Sequence, residues 1–153
     1  SGRFDTAQVY YNMLNPSAAR TLPPAWQGAD LSGIIAGCQS HDMAVMAIRI
    51  FAAGYLATAD RTGRESILTT DTAADSEERM ARSLFAEFNA EFGTRAQTAL
   101  RYVLSNKAVS TAIIGLSDPA YIDDAIDGAA MGPLPDDAFQ RLKTLYETNF
   151  GAA

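Results

Sequence analysis

Three short apolar segments along this chain predict the strands of a parallel sheet. They are residues 4–11, 43–50 and 109–116, with the sequences FDTAQVYY, MAVMAIRI and VSTAIIGL. The second and third segments are apolar almost throughout, whereas a strand with one face in water alternates apolar and polar residues. We therefore expect strands of the kind that is covered on both faces.

Between and after these segments, apolar residues recur at helical spacing. The pattern predicts helices over residues 31–40, 76–92, 95–105, 118–129 and 136–149. Asp30 is the expected N-cap of the first helix, and Ser76 begins a capping-box-like start of the second. The second helix has an apolar stripe and an opposite, polar face, the latter formed by Glu77, Glu78, Arg82 and Glu87. Residues 15–28 and 57–75 are predicted to be loops.

The order of these elements predicts an α/β fold. Alternating strands and helices are typical of a parallel sheet with right-handed crossovers. Three such strands leave open edges and a bare inner face, which a barrel would close. Ser1 and Gly2 resemble the end of an earlier helix. We therefore expect a partial (β/α)8 TIM barrel, in which residues 1–153 are three C-terminal βα units plus a C-terminal helix of a single barrel domain.

Charge and cysteine content exclude several functional classes. Twelve Lys and Arg against eighteen Asp and Glu give a net charge of −6, which argues against nucleic acid and acidic membranes as partners. The single cysteine, Cys38, allows neither a disulfide framework nor a zinc site, and a reducing cytoplasm fits it best. The longest apolar stretch, residues 43–59, contains Arg49, which a membrane span would rarely tolerate. No signal peptide is evident.

In a parallel barrel the ligand lies at the carboxyl ends of the strands, which draws attention to three positions. Gly115 lets a ligand approach the main chain, and Ser117 and Asp118 start a helix there, as in an anion site. Taken alone, however, these residues favour the simpler interpretation, an ordinary N-cap at Ser117 or Asp118 with nothing bound. Arg49 is a charge in an apolar strand, and it would meet either a phosphate or a nearby carboxylate. The Gln8 amide would form hydrogen bonds either with the polar ring of a ligand at the barrel centre or with backbone groups of the protein.

The other reactive side chains have simpler explanations. His41 is expected at the surface at a helix end, where a positive imidazole is stabilised, and it has no partner pattern for a metal or a catalytic relay. The pairs Asp123–Asp124 and Asp136–Asp137 fall in first helical turns, and Cys38 falls on an apolar helix face. We therefore predict neither a catalytic residue nor a metal ligand within this chain.

Taken together, three stretches resemble the carboxy-terminal part of the aldo-keto reductases, (β/α)8 barrels that use NADPH or NADH. FDTAQVYYNMLNPSA looks like the sixth strand of the family, and GCQSHDMAVMAIRIFAAGYL is similar to its seventh, with the Y-[SR]-P-L motif. ALRYVLSNKAVSTAIIGLSDPAYIDDAI resembles the eighth strand with its I-P-G-x-[SR] turn. The resemblance implies cofactor-binding positions at Gln8, Ile48, Arg49, Ile50, Phe51, Gly54, Gly115, Leu116, Ser117, Asp118, Tyr121, Asp124 and Ala125.

The resemblance also implies roles for these residues. Gln8 would hold the nicotinamide carboxamide, Arg49 and the Gly54 loop would bind the pyrophosphate, and residues 115–118 with Tyr121 would hold the adenosine end. The chain departs from the family pattern at three positions. Ile48 replaces the aromatic residue that stacks on the nicotinamide. Ile114 replaces the Pro of the turn, and Ala125 replaces an Asn that binds the adenine. Between Gly115 and Ala125 there are three Asp and no Lys or Arg, so NADH is favoured over NADPH.

The catalytic Asp, Tyr, Lys and His of the family lie on its first four strands, outside this sequence. The chain alone is therefore expected to be inactive, as the cofactor-binding part of an oxidoreductase that acts on a small carbonyl or alcohol substrate. Its expected partner is the missing N-terminal barrel half or another copy of itself. The alternative is a non-catalytic accessory subunit with the same fold.

Overall fold

The computed structural model describes residues 3–24, 26, 28–59, 74–116 and 118–151. The predicted order of strands and helices is confirmed within these ranges. The elements are β1 (Thr6–Tyr10), α1 (Ile34–Ser40), β2 (Ala44–Ile48), a 3₁₀ turn (Ala52–Gly54), α2 (Ala74–Phe88), α3 (Arg95–Leu104), β3 (Thr111–Ala112), α4 (Ala120–Ala130), α5 (Asp136–Glu147) and a second 3₁₀ turn (Asn149–Gly151). The strands are shorter than the apolar segments that predicted them.

The three strands form one parallel sheet in the order β1-β2-β3. Gln8 lies opposite Met46, and Met46 lies opposite Thr111. Helix α1 packs on β1 and β2, and α3 packs on β3. Val9 and Val45 point to that side and are almost fully buried. The predicted α/β architecture with parallel strands is therefore confirmed.

The opposite side of the sheet is only partly covered among the described residues. Side chains alternate along a strand, and register partners in a parallel pair point the same way. We call this side the open face; it carries Gln8, Met46, Ile48, Thr111 and Ile113. Gln8, Thr111 and Ile113 are exposed, and Met46 and Ile48 are half-buried. Among the described residues, this side therefore lacks the full cover that the apolar segments predicted, and the opposite side has it.

Two predicted helix starts are wrong. The N-cap of α1 is Gly33, which has a left-handed φ of 80°, and Asp30 instead accepts a hydrogen bond from the Ser32 amide at 2.9 Å. Helix α2 already begins at Ala74, so Ser76 lies inside its first turn. Glycine supplies a left-handed φ at no steric cost, which lets the chain enter α1 without a side-chain cap.

Helix α2 also ends earlier than its apolar stripe. It stops at Phe88, after which Asn89 and Ala90 adopt positive φ values of 45° and 58°. Phe92 still reaches the core, and its ring stands edge-on to that of Phe88 with 5.0 Å between the centroids. The stripe therefore continues across a break in the helix. In the predicted loop 57–75, residues 60–73 lie outside the described residues.

Candidate functional site

The carboxyl ends of β1 and β2 lie side by side. Tyr10 is the register partner of Ile48, and the Tyr11 amide donates to the Ile48 carbonyl oxygen at 3.3 Å. The Ile113 amide donates to the Ala47 carbonyl oxygen at 2.9 Å, which brings the end of β3 to the same edge. The carboxyl ends of all three strands thus meet at one edge of the sheet. Gln8 and Ile48, two of the predicted cofactor-binding residues, lie near this edge on neighbouring strands, and both belong to the open face.

Asn12 braces this edge of the sheet. Its side chain is fully buried, and its Nδ2 donates to the carbonyl oxygen of Arg49 at 2.8 Å. Its Oδ1 accepts from the amides of Leu14 and Asn15, both at 2.9 Å. Arg49 has a φ of 58°, a conformation that costs a non-glycine residue about 1 kcal/mol or more. Asn12 thus holds a strained residue of the neighbouring strand end in place.

We expect Asn12→Ala to lower the free energy of unfolding by about 2–3 kcal/mol, because it leaves two amides and one carbonyl without their partner in a buried site. Urea denaturation followed by circular dichroism would measure the change. Asp30→Ala is a matched control, since it removes a similar side-chain-to-amide bond at an exposed position. A cost for Asn12→Ala no larger than that of the control would contradict the bracing role.

Arg49 is paired with a carboxylate, one of the two environments predicted for it. Its Nη2 lies 3.4 Å from Oε2 of Glu77, and the two side chains are 8% and 5% exposed. The Tyr10 hydroxyl donates to Oε1 of Glu77 at 3.2 Å, and the Arg49 guanidinium carbon lies 5.7 Å from the centre of the Tyr10 ring. We call Tyr10, Arg49 and Glu77 the Arg49 cluster.

The position of Glu77 corrects a prediction. The sequence pattern placed it on the exposed polar face of the second helix, whereas the structure buries it in the first turn of α2. Arg82 and Glu87, by contrast, are exposed as predicted. Burial raises the pKa of the Glu77 carboxyl, and the lowering by Arg49 and by the Tyr10 hydroxyl does not cancel that rise.

The raised Glu77 pKa predicts how stability changes with pH. A carboxyl whose pKa is higher in the folded than in the unfolded state stabilises the fold below its unfolded pKa and loses that contribution as pH rises through the folded pKa. We therefore expect the stability of the natural chain, relative to Glu77→Gln, to fall over the pH interval that begins at the usual glutamate pKa of about 4.3. Urea denaturation of both proteins across that interval would measure it. A relative stability that rises with pH would contradict the expected direction.

The segment after β2 has an unusual backbone. Ala52, Ala53 and Gly54 have φ values of 45°, 57° and 108°. Ile50 lies in the core, Phe51 is half-buried, and a Cβ built on Gly54 would meet no atom within 4 Å. The described residues therefore leave open space beside Gly54, although its amide already donates to the Phe51 carbonyl oxygen at 2.8 Å, whereas Ile50 contributes packing.

The third predicted group lies at the start of α4. Gly115, Leu116, Asp118 and Tyr121 are exposed, and Ser117 lies outside the described residues. Oδ1 of Asp118 accepts from the Ala120 amide at 2.9 Å, but the N-cap of α4 is Pro119, so the N-cap role weighed for Asp118 is wrong by one residue. Asp124 accepts from the hydroxyl of Thr94, the N-cap of α3, at 3.2 Å, and Ala125 packs against the core.

The remaining predictions concern isolated residues. His41 is exposed at the end of α1, with Nδ1 2.9 Å from the Gly37 carbonyl oxygen, and Cys38 is buried in the core; both predictions are confirmed. Across the described ranges, His, Cys, Asp and Glu form no group of three or more that could hold a metal ion. Nor does any described helix have the length and apolar character to cross a membrane.

The model of the Aldo/keto reductase family matches residues 3–147. This chain belongs to the aldo/keto reductase family. The resemblance carried by its three stretches is thereby confirmed, and so is the fold that it implied. A search of curated proteins gives no significant match.

Solved structures agree on the fold of this aldo/keto reductase chain. The holo form of the aldo-keto reductase AKR11C1 from Bacillus halodurans superposes with a TM-score of 0.64 at 19% identity, over 94% of this chain and 43% of that chain. Its apo form gives 0.63 at 19% identity, over 93% and 43%. The chain thus spans less than half the length of these relatives, consistent with part of a TIM barrel.

Proposed function

We propose that this chain is the C-terminal, cofactor-binding part of an NAD(P)-dependent aldo-keto reductase, which interconverts carbonyls and alcohols by hydride transfer. The observation that carries the proposal is the open face. Gln8 and Ile48 share it on adjacent parallel strands, and Arg49 follows directly at the carboxyl edge. This is the edge at which parallel barrels bind their ligands.

The chemistry of these residues fits a nicotinamide dinucleotide, which when bound would supply or accept the hydride. The exposed Gln8 amide would both donate to and accept from the carboxamide, and half-buried Ile48 would give the ring an apolar surface. Arg49 would bind the pyrophosphate, and the described residues leave space for it beside Gly54 in the loop that follows. Gly115, Leu116, Asp118 and Tyr121 are exposed and would contact the adenosine end.

The partner proposed for this chain is the N-terminal half of a barrel. A run of large apolar side chains on and just before α4 supports it: Leu116, Tyr121, Ile122 and Ile126 are 45–60% exposed. In a closed barrel each helix packs against its neighbours, so this surface and the two edge strands would be covered. Another copy of the chain is the second candidate partner for the same surface. Light scattering of the chain alone distinguishes the two candidates, because a monomeric mass would exclude the second copy.

Cofactor binding by the chain would be tested by titrating NADH fluorescence with the natural protein, Arg49→Met and Gln8→Ala. We expect both substitutions to weaken binding, by about tenfold for Arg49→Met, since a guanidinium–phosphate interaction of typical strength is lost. NADH should not be oxidised when an aldehyde is added, because the family's catalytic Tyr, which would act as the general acid, is expected on a strand outside this chain. Equal binding by all three proteins would overturn the proposed roles, and turnover by the chain alone would overturn its non-catalytic character.

We expect NADH to bind at least as tightly as NADPH. Asp118 and Asp123 lie at the start of α4, where the additional phosphate of NADPH would approach, and like charges repel. Parallel titrations would measure the dissociation constants of NADH and NADPH. Asp118→Asn is the matched variant, and we expect it to bring the two dissociation constants closer together. Tighter binding of NADPH than of NADH by the natural chain would contradict the prediction. A cytoplasmic location also stays a prediction.

A further inference from the structure

The Arg49 cluster contains a carboxylate where the proposed function needs a phosphate. Arg49 is the only residue of the chain proposed above to offer a positive charge to the pyrophosphate. In the structure its guanidinium faces Glu77, with Nη2 3.5 Å from Oε1 and 3.4 Å from Oε2. Carboxylate and phosphate present similar pairs of oxygens to a guanidinium, so one can take the place of the other.

The contact between Glu77 and Arg49 has the features of one that a ligand could displace. Its distances exceed the 2.7–2.9 Å that is typical of a strong charge-assisted hydrogen bond. Burial raises the pKa of Glu77 in spite of Arg49, so the pair does not fully repay the desolvation of the carboxylate. Glu77 also has a second partner, because the Tyr10 hydroxyl donates to it at 3.2 Å.

We propose that Glu77 occupies the phosphate position on Arg49, so that Glu77 and the pyrophosphate of a dinucleotide compete for the same guanidinium. The identity of the ligand rests on the proposed function. Two anions at one buried guanidinium repel each other, and entry of the phosphate therefore requires that Glu77 move away or accept a proton. Tyr10 remains as a hydrogen-bond partner for the displaced carboxyl. Glu77 thus sets the affinity of the site, although it would not touch the ligand itself.

The test uses inorganic pyrophosphate as the probe and the full chain as the protein. Isothermal titration at fixed ionic strength would compare the natural protein with Glu77→Gln, which keeps the shape of the side chain and an acceptor for Tyr10. We expect Glu77→Gln to bind pyrophosphate about tenfold more tightly, an effect within the usual range for coupled sites. Glu78→Gln is the matched control, because it removes the same charge one residue along α2 from a side chain that pairs with Arg82. It should leave affinity within about twofold of the natural protein.

Adding Arg49→Met to Glu77→Gln should abolish the gain. An unchanged pyrophosphate affinity in folded Glu77→Gln, or no binding by either protein, would overturn the inference. Should Glu77→Gln not fold, Glu77→Met provides the same comparison with a neutral side chain of similar length. Circular dichroism of each variant establishes that it is folded.

A parallel NADH titration separates this inference from the proposed function. If Glu77→Gln gains pyrophosphate affinity while NADH binds none of the proteins, the competition stands and the cofactor role fails. If NADH binds the natural protein and Glu77→Gln equally, and Arg49→Met poorly, the cofactor role stands and the competition fails.

Discussion

Replacing Arg101 by Met is expected to lower the free energy of unfolding by about 3–5 kcal/mol, because it leaves three buried carbonyl oxygens without their charged donor. Arg101 is only 8% exposed. Its Nε, Nη1 and Nη2 donate to the carbonyl oxygens of Gly132, Phe92 and Pro133 at 2.8, 2.7 and 3.0 Å. The guanidinium therefore fixes α3 to the segment that follows α2 and to the turn that leads into α5.

Arg101→Lys separates the charge of this residue from its shape. A lysine retains the positive charge but cannot reach three carbonyl oxygens that are arranged around a planar fork. We expect the free energy of unfolding of Arg101→Lys to lie between those of the natural protein and Arg101→Met. Urea denaturation followed by circular dichroism and by tyrosine fluorescence would measure all three proteins. A stability for Arg101→Met within about 1 kcal/mol of the natural value would show that water replaces the guanidinium at these carbonyls.

Leu142→Ala is expected to cost about 2–5 kcal/mol, because it leaves a cavity at a fully buried position of α5. Leu142 belongs to the single core that α2, the sheet and α5 share, so the cavity has packed neighbours on every side. The same urea experiment would measure the loss. A cost below about 1 kcal/mol would mean that the site collapses around the smaller side chain.

Leu116→Ala is the matched control for Leu142→Ala, since it removes the same atoms from a side chain that is 47% exposed. Its expected cost in the chain alone is within about 0.5 kcal/mol. A cost close to that of Leu142→Ala would show that Leu116 is covered in solution, as it would be by a second copy of the chain. The comparison therefore measures both the core and the exposure of the apolar surface near α4.

Much of the fold could be predicted from the sequence. The strands and helices follow from runs such as MAVMAIRI and from the spacing of Phe88, Leu142 and Tyr146, because burial of apolar surface dominates the choice of local structure. The buried position of Cys38 could be predicted for the same reason, whereas the helix-terminal position of His41 followed from the preference of an imidazole for the C-terminal end of a helix. The family could be predicted because three motifs recur in the right order along most of the chain.

The candidate site was less predictable. Asn12 gave only a weak signal, a polar residue directly after a strand, and the bond to the Arg49 carbonyl depends on the register of two strands. Glu77 was misplaced because helical periodicity assigns a charge to the solvent side, whereas a distant cation, 28 positions earlier in the chain, partly compensates its burial. The N-cap of α1 is Gly33 and not the predicted Asp30, because the pattern of side chains does not show which residue adopts the left-handed backbone conformation that starts the helix.

The amino-acid sequence alone predicts the order of strands and helices, the parallel arrangement of the strands and the family of the chain. These properties follow from local periodicity and from the order of the motifs, both of which are present in the linear sequence. The partner of each buried charge depends instead on the folded arrangement: Arg49 meets Glu77 and the Tyr10 ring, and Arg101 meets three carbonyl oxygens. A charge is stabilised in a protein interior only by groups within a few ångströms, and folding brings those groups together from distant parts of the chain.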